Sequence, residues 1–373
     1  MEPSFDAIVV GAGVVGLACA AALARREKKV LLLERHDRNA TENSTRSSGV
    51  VHAGLHHPSD WLRTTLCLRG RELLGRRARL EDLPYQTLGK WIVGSARDEA
   101  PLVALAARAK DRGIEARLVD EAELARLEPA VHAERALFVA PTAIVRTQSL
   151  VRSLEDECAA RRVLSLRGAE VVGIEPGASE IAVHIEGARF VSPRVVIAAG
   201  LGSDVLAARA GLDPDALGLR QHYVRGTWMA LEPRHRKEIA SLVYPLPEAD
   251  GLGIHLTRDV EGFLFAGPDA EWIDAPSFDL PAAEEAREKA RRFAEAIARV
   301  FRPPVRADEL YPLAVGVRPR LSAPGEPARD FAIADASVHG IAGLVVLAGI
   351  ESPGLTASLA IAEEVEARLA RST

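Results

Sequence analysis

Close to its start the chain carries a glycine turn, Gly11-Ala12-Gly13-Val14-Val15-Gly16, between two kinds of apolar pattern. Before it, Phe5 to Val10 is a short run apolar at every position but Asp6, the mark of a parallel strand buried on both faces. After it, Val14 to Arg26 reads as a helix of small residues, and Lys29 to Leu33 as a second buried strand ending in Glu34. Together they predict a right-handed βαβ unit. The three glycines do different things: Gly11 allows a tight turn, Gly13 lets backbone approach a pyrophosphate, and Gly16 lets helix pack on strand. Glu34, about 20 residues on, accepts hydrogen bonds from ribose hydroxyls and argues against a 2'-phosphate. The bland alternative is a structural glycine turn; strand, spacing and acid together favour a dinucleotide site.

Composition narrows the field. With 373 residues, 48% of them hydrophobic and 27% charged, the chain can bury one large core or two intermeshed ones. A formal charge of -5 gives no basic excess for nucleic acid, and the run from Arg69 to Arg79 reads as a solvated helix face. Cys19, Cys67 and Cys158 form neither a disulfide framework nor a zinc site, so no metal is expected and a reducing, cytoplasmic setting fits. Glu2 and Asp6 precede the first apolar run where a signal peptide needs positive charge, and no stretch has the roughly 20 apolar residues of a membrane span. Peripheral attachment to a membrane stays open.

Further along, Leu83 to Val93 and Ala136 to Val145 read as isolated strands bracketing a charged helical stretch from Glu99 to Arg126. Ser149 to Arg162 reads as a helix, Gly168 to Glu175 and Glu180 to Ile185 as strands, and Arg194 to Ala199 as a buried strand closed by Gly200. A helix from Ala282 to Phe301 places Ala286, Ala290, Phe293, Ile297 and Phe301 on one face, and Pro303 and Pro304 stop it. The end of the chain returns to a buried strand, Gly343 to Ala348, a turn, and a last amphipathic helix. The expected fold class is α/β: a discontinuous Rossmann-type domain from residues 1–82, 146–218 and 306–373, carrying an inserted α+β substrate domain of antiparallel sheet from 83–145 and 219–305.

Three segments favour FAD over NAD. Ser44-Thr45-Arg46-Ser47-Ser48-Gly49 supplies hydroxyls and backbone amides for a second approach to phosphates. Val195 to Gly200 is a strand ending in small residues that a cofactor can pass closely. Gly349-Ile350-Glu351-Ser352-Pro353-Gly354-Leu355-Thr356 sets a glycine turn at the start of the last helix, whose positive end favours an anion such as a reduced flavin.

These segments, with Val50-Val51-His52-Ala53-Gly54, Tyr244-Pro-Leu-Pro-Glu, Gly251-Leu-Gly-Ile-His255-Leu-Thr, Gly267-Pro-Asp-Ala, Gly316-Val-Arg318-Pro and Asp330-Phe, give the chain a resemblance from end to end. It resembles the D-amino acid oxidase superfamily of flavoproteins, most closely the L-2-hydroxyglutarate dehydrogenase branch. The resemblance implies FAD held by Gly11, Gly13, Val15, Gly16, Glu34 and Arg35, by Thr45, Arg46, Ser47, Ser48 and Gly49, and by Val171, Ala199 and Gly200. It adds Gly316, Arg318, Glu351, Ser352, Gly354, Leu355 and Thr356 from the second half.

It also implies a small carboxylate substrate held by Arg318, whose guanidinium grips a carboxylate through two parallel hydrogen bonds. Oxidation of a 2-hydroxy acid moves a hydride to flavin N5 while a base takes the hydroxyl proton, and His52 and His255 are the candidates. His56 and His57 stand where near relatives carry two tyrosines, which implies a changed substrate pocket. Ala143 and Arg146 likewise replace a glycine and an acid. Tyr223 and Arg225, in the run Gln221 to Gly226, are expected to line the pocket from the substrate domain, the plain alternative being a half-exposed strand. The nearest alternative keeps fold and cofactor but oxidises an amine or amino acid, which needs no protein base. Two others are an NAD-dependent dehydrogenase and a flavin protein without turnover. The electron acceptor, whether oxygen, a quinone or a protein, stays open.

Overall fold

The computed structural model describes residues 3–246 and 253–371. Pro247, Glu248, Gly251 and Leu252, from two of the resemblance segments, lie outside the described residues.

The strand Ala7–Val10 lies inside a six-stranded sheet ordered Ala332–Ala334, Leu344–Ala348, Val195–Ile197, Ala7–Val10, Val30–Glu34, Leu164–Arg167. Neighbours run parallel except the antiparallel edge strand Ala332–Ala334. Ala7 and Val9 turn toward the helices Val14–Leu23, Thr147–Ala160 and Gly354–Arg371. Ile8 and Val10 turn toward the three antiparallel strands Val171–Pro176, Ile181–Ile185 and Ala188–Ser192. Coverage of both faces is why these strands read as continuous apolar runs. Each Val or Leu fully buried there contributes about 2 kcal/mol of transfer free energy.

A nine-stranded sheet forms the second body. In order it runs Leu310–Arg320, His222–Leu231, Leu264–Gly267, His255–Arg258, Leu242–Pro245, Lys90–Gly94, Arg135–Val139 and Ala116–Asp120, and Glu271–Ile273 also pairs with His222–Leu231. The expected antiparallel pattern holds except at one seam, where Leu242–Pro245 runs parallel to Lys90–Gly94. That seam joins the two stretches of chain expected as insertions. The helix Ala283–Ala298 covers one face through Ala290, Phe293 and Ile297, as its apolar stripe requires. The opposite face carries the candidate site.

Three local expectations change. Residues 310–320, expected with the cofactor-binding part, are hydrogen-bonded along their length to His222–Leu231. Ala116–Asp120, inside the stretch expected to be helical, is a strand between the helices Glu99–Asp111 and Glu121–Leu127. Ala188–Ser192 is a strand that sequence pattern leaves unassigned. Pairing supplies the backbone hydrogen bonds that local propensity does not specify, from a distant strand in the first case and from Arg135–Val139 and the adjoining Ile181–Ile185 in the other two. Among the described residues no helix is long and apolar enough to cross a membrane.

Candidate functional site

The glycine turn is built as its spacing demands. Gly11 has φ 99°, and a Cβ on it would lie 2.5 Å from the Ala198 carbonyl oxygen. A Cβ on Gly16 would lie 1.8 Å from the Gly11 oxygen, so helix and turn touch through bare backbone. Glu34, 7% exposed, accepts from the Ala12 N–H at 2.8 Å and the His36 N–H at 2.9 Å. The Val14 N–H donates to Ser44 Oγ at 3.0 Å, which brings the serine loop over the start of the helix beside half-buried Val15. A Cβ on Gly200 would meet nothing within 4 Å, and one on Gly316 nothing nearer than 3.7 Å. Gly200 therefore faces open space, while Gly316 is in ordinary contact with Asn43 and Arg46 of the serine loop. A positive-φ turn, a buried carboxylate and side-chain-free walls fit a dinucleotide.

Other expected cofactor contacts have local partners. Arg35 pairs with Glu42, and the Val171 carbonyl accepts from Arg209 Nη1 at 2.8 Å. Thr45 Oγ1 donates to Ala40 O, Arg46 Nε donates to Thr41 O with its guanidinium over Phe278, and Ser47 Oγ donates to Ser44 O. Ser48 Oγ accepts from the Val50 N–H at 3.4 Å, and Gly49 takes φ 69° because a Cβ there would meet the Val145 oxygen at 2.4 Å. A cleft of about 620 Å³ separates this loop from Trp228, Phe265 and Ala314 of the large sheet. Arg146, one of the departures from the family pattern, lines it and is paired with Glu261.

The two C-terminal glycine turns are tied by a residue without a sequence signal. Buried Gln221 donates to Gly200 O at 3.0 Å and accepts from the Gly349 N–H at 2.9 Å. Ala199 stands next to that tie, half-buried. Thr356, fully buried in the first turn of the last helix, accepts from the His52 N–H at 3.0 Å and donates to Val50 O at 3.3 Å. It thereby fastens His52 to the helix that begins at Gly354, where Leu355 packs against the core. Ser352 Oγ lies 3.3 Å from His52 Nε2. The Glu351 carboxylate sits between Arg63 at 3.4 Å and Arg320 at 3.5 Å, so its side chain serves an ion-pair cluster that also holds Asp330. Arg63 carries no sequence signal beyond being a charged residue at the start of a helix.

Across from His52, the large sheet presents a row of side chains on one face. Strand registers put Val224, Gly226 and Trp228 on the face of Arg318, and they continue through Phe265, His255 and Tyr244 to Lys90. Arg318 donates from both terminal nitrogens to Asp269 O, at 3.3 and 3.2 Å. Among the described residues no carboxylate lies within ion-pair distance of it. Burial lowers its pKa from the ordinary guanidinium value. His255 is stacked on Tyr244, centroids 3.8 Å apart at 20°, and edge-on to Trp228 at 5.5 Å. Its Nδ1–H donates to Gly253 O at 3.1 Å, leaving Nε2 as the ring's lone-pair nitrogen. Burial, with the positive charge of Lys90 nearby, pushes both His52 and His255 down to about 3, so both rings are neutral at neutral pH.

The two further histidines diverge. His56 turns inward, its Nε2 2.7 Å from Lys90 Nζ. His57 turns outward to stack on Trp61 at 5.9 Å, and burial holds it down to about 4. Tyr223 falls out of the row. The period of two places it on the face opposite Arg318, and its hydroxyl donates to Leu201 O at 3.2 Å. Arg225 shares that outer face and meets Glu285 of the covering helix. Lys90 and Tyr244 do not stand out as site residues in the sequence. Their signal is a lysine on the same strand phase as buried Ile92, and a tyrosine paired in register with that isoleucine.

The profile of the family described as DAO, FAD dependent oxidoreductase, matches residues 6–368. The chain is 35% identical over 410 aligned positions to the mitochondrial L-2-hydroxyglutarate dehydrogenase of Arabidopsis thaliana, covering 98% of this chain and 83% of that one. It is 28% identical to the L-2-hydroxyglutarate dehydrogenase of Salmonella houtenae, a match covering 71% of this chain and 64% of the relative, just under two thirds. The fold superposes on L-alpha-glycerophosphate oxidase from Mycoplasma pneumoniae, solved with FAD bound, at a TM-score of 0.87 and 24% identity, over 99% of this chain and 95% of the other.

Proposed function

The chain belongs to the DAO family of FAD-dependent oxidoreductases, and on that premise we propose that it oxidises the C2 hydroxyl of a small 2-hydroxy acid to the 2-oxo acid. The observation that carries this reading is the Arg318 guanidinium, which is half-buried on the inner face of the sheet, fixed by the Asp269 carbonyl and without a carboxylate partner among the described residues. A half-buried guanidinium without a counter-charge is completed by an anion, and a planar carboxylate matches its fork.

The glycine turn, Glu34, the Ser44 loop and the glycines Gly200 and Gly316 are the groups that would hold FAD. Bound there, FAD would supply the two-electron acceptor for the C2 hydride. The chain's own residues do the rest. Arg318 fixes the carboxylate and so the position of C2. His255, oriented by Tyr244 and Trp228 and with its proton held on Nδ1 by Gly253, offers Nε2 to the hydroxyl proton. The substrate's negative charge raises the basicity of His255 when it binds. Relatives named as L-2-hydroxyglutarate dehydrogenases support a 2-hydroxy acid over an amine.

The test is anaerobic bleaching of the purified flavoprotein by a panel of 2-hydroxy acids and amino acids, repeated with Arg318→Ala and His255→Gln. Bleaching by a hydroxy acid that Arg318→Ala abolishes is expected, with His255→Gln slowing reduction by roughly 100-fold or more. Bleaching by amino acids alone overturns the reading.

A further inference from the structure

Between the strand Val50–Val51 and the helix Leu62–Leu80 the chain carries His52, His56 and His57 on a loop that joins no sheet. Buried loop carbonyls still need donors. Here guanidinium groups supply them. Arg71 Nη1 donates to Ala53 O at 3.1 Å and Arg108 Nη1 to His56 O at 3.3 Å. Arg112, the residue after the helix Glu99–Asp111, takes the rest: its Nη1 donates to Gly54 O at 2.6 Å and Leu55 O at 3.0 Å, and its Nη2 to His57 O at 2.6 Å. Among the described residues no backbone N–H serves any of these carbonyls, and none of the three arginines has a carboxylate within ion-pair distance. Their charge is directed at the loop, where a charge-assisted bond is roughly twice as strong as a neutral one.

The loop held in this way crosses the site. His52 is fixed on both sides, its N–H donating to Thr356 Oγ1 at 3.0 Å and its carbonyl accepting from Cys67 Sγ at 3.5 Å, and its ring lies 3.3 Å from Ser352 Oγ. Four residues on, the His56 ring meets Lys90 at 2.7 Å, at the far end of the row that begins at Arg318. Ala53 and Leu55 pack with Leu102, Leu105 and Ala109, so the helix that brings Arg108 and Arg112 is also the surface on which the loop rests. The curl at Gly54, φ 85°, lets three oxygens converge on one group. A planar guanidinium with several N–H groups reaches all three, where a lysine ammonium is a single point.

We propose that Arg112, backed by Arg71 and Arg108, is a positioning residue: it holds residues 54–57 by their carbonyls so that His52 and His56 stand opposite Arg318, Trp228 and His255. It acts through the loop and not on the substrate. What the histidines then face rests on the oxidation reading of the site; the clamp itself does not.

The test uses holoenzyme of the wild type, Arg112→Met and Arg112→Lys. Anaerobic flavin reduction by the best 2-hydroxy acid is expected to slow at saturation by on the order of 10–100-fold in Arg112→Met, while the substrate concentration for half-maximal rate stays within about 3-fold, because Arg318 is untouched. Arg112→Lys, which keeps the charge and loses the fork, recovers part of the rate. Unaltered reduction in Arg112→Met overturns the proposal. Histidine-selective 15N NMR reads the loop without turnover: the His56 Nε2 shift of a ring bonded to Lys90 should move toward that of a free imidazole in Arg112→Met, and an unmoved shift overturns the proposal whatever the substrate is. Should Arg112→Met fail to fold, Arg71→Met, which removes one bond beside His52, takes its place, with a slowing of about 3–10-fold expected and the wild-type rate overturning the clamp. Bleaching by no 2-hydroxy acid, together with a displaced His56 signal, sinks the oxidation reading and leaves the clamp standing.

Discussion

Asn43 and Val317 are joined by a reciprocal pair of hydrogen bonds, Asn43 Nδ2 to Val317 O at 2.6 Å and Val317 N–H to Asn43 Oδ1 at 2.8 Å. The side chain acts as a short extra strand on the free edge of Leu310–Arg320. It ties the serine loop that follows Glu34 to the residue beside Arg318.

Replacing Asn43 therefore acts on both halves of the site. Asn43→Ala leaves two part-buried backbone groups without partners and is expected to cost about 1–3 kcal/mol. KM for the carboxylate substrate should rise more than kcat falls, because Arg318 loses its register. Denaturant unfolding with steady-state kinetics checks this, and an unchanged KM removes the link.

At the glycine turn the expectation is steric. Gly16→Ala places a Cβ 1.8 Å from the Gly11 oxygen and should cost about 3 kcal/mol or more, with loss of bound flavin on purification. Gly202→Ala meets nothing within 4 Å and should stay within about 0.5 kcal/mol of wild type. Melting temperature and the flavin-to-protein absorbance ratio separate the two.

The orientation of Arg318 depends on a buried ion pair behind it. Lys289 Nζ meets Asp269 Oδ2 at 2.7 Å, Asp269 Oδ1 accepts from the Thr227 N–H at 2.7 Å, and the Asp269 carbonyl receives Arg318. Lys289→Met strands a buried carboxylate and should destabilise by about 3–5 kcal/mol. Adding Asp269→Asn should return part of that stability, since the charge is gone. A double variant no more stable than Lys289→Met contradicts this account.

Stability should fall as the solution becomes acid. His52 and His255 are held at about 3 and His57 at about 4 in the folded chain, all below the ordinary 6.5. Below pH 6.5 the unfolded chain takes up protons that the folded chain refuses, so unfolding is favoured progressively until the folded rings titrate. Their contribution to stability is whole above pH 6.5 and is lost toward pH 4 for His57 and pH 3 for the other two. Each has a slope on the order of 1 kcal/mol per pH unit. Unfolding titrations at pH 7 and pH 5 on wild type and His52→Asn test it. The variant should show the shallower pH dependence.

What the sequence determined by itself was local. A glycine turn between a buried strand and a small-residue helix favours a dinucleotide at that spacing, because Gly11 and Gly16 answer to backbone atoms within the same short segment or the next strand. Glu34, Gly200, Gly349 and the last helix follow from the same logic, and the apolar stripe of the helix Ala283–Ala298 named its buried face correctly. Arg318, His52 and His255 are candidates named through a resemblance spread over the whole chain. Tertiary structure alone decided which side chains share a face. Tyr223 and Val224 differ by one residue, and only the pairing of His222–Leu231 with Leu310–Arg320 shows that Val224 lies with Arg318 while Tyr223 faces away. Lys90 looks like the polar start of an ordinary strand until its neighbours, supplied from residues 56 and 244, enclose it. Asn43 and Gln221 act across distances in the chain that no periodicity encodes. A sheet's faces are fixed by strand partners far apart in sequence, and the site is assembled on such a face.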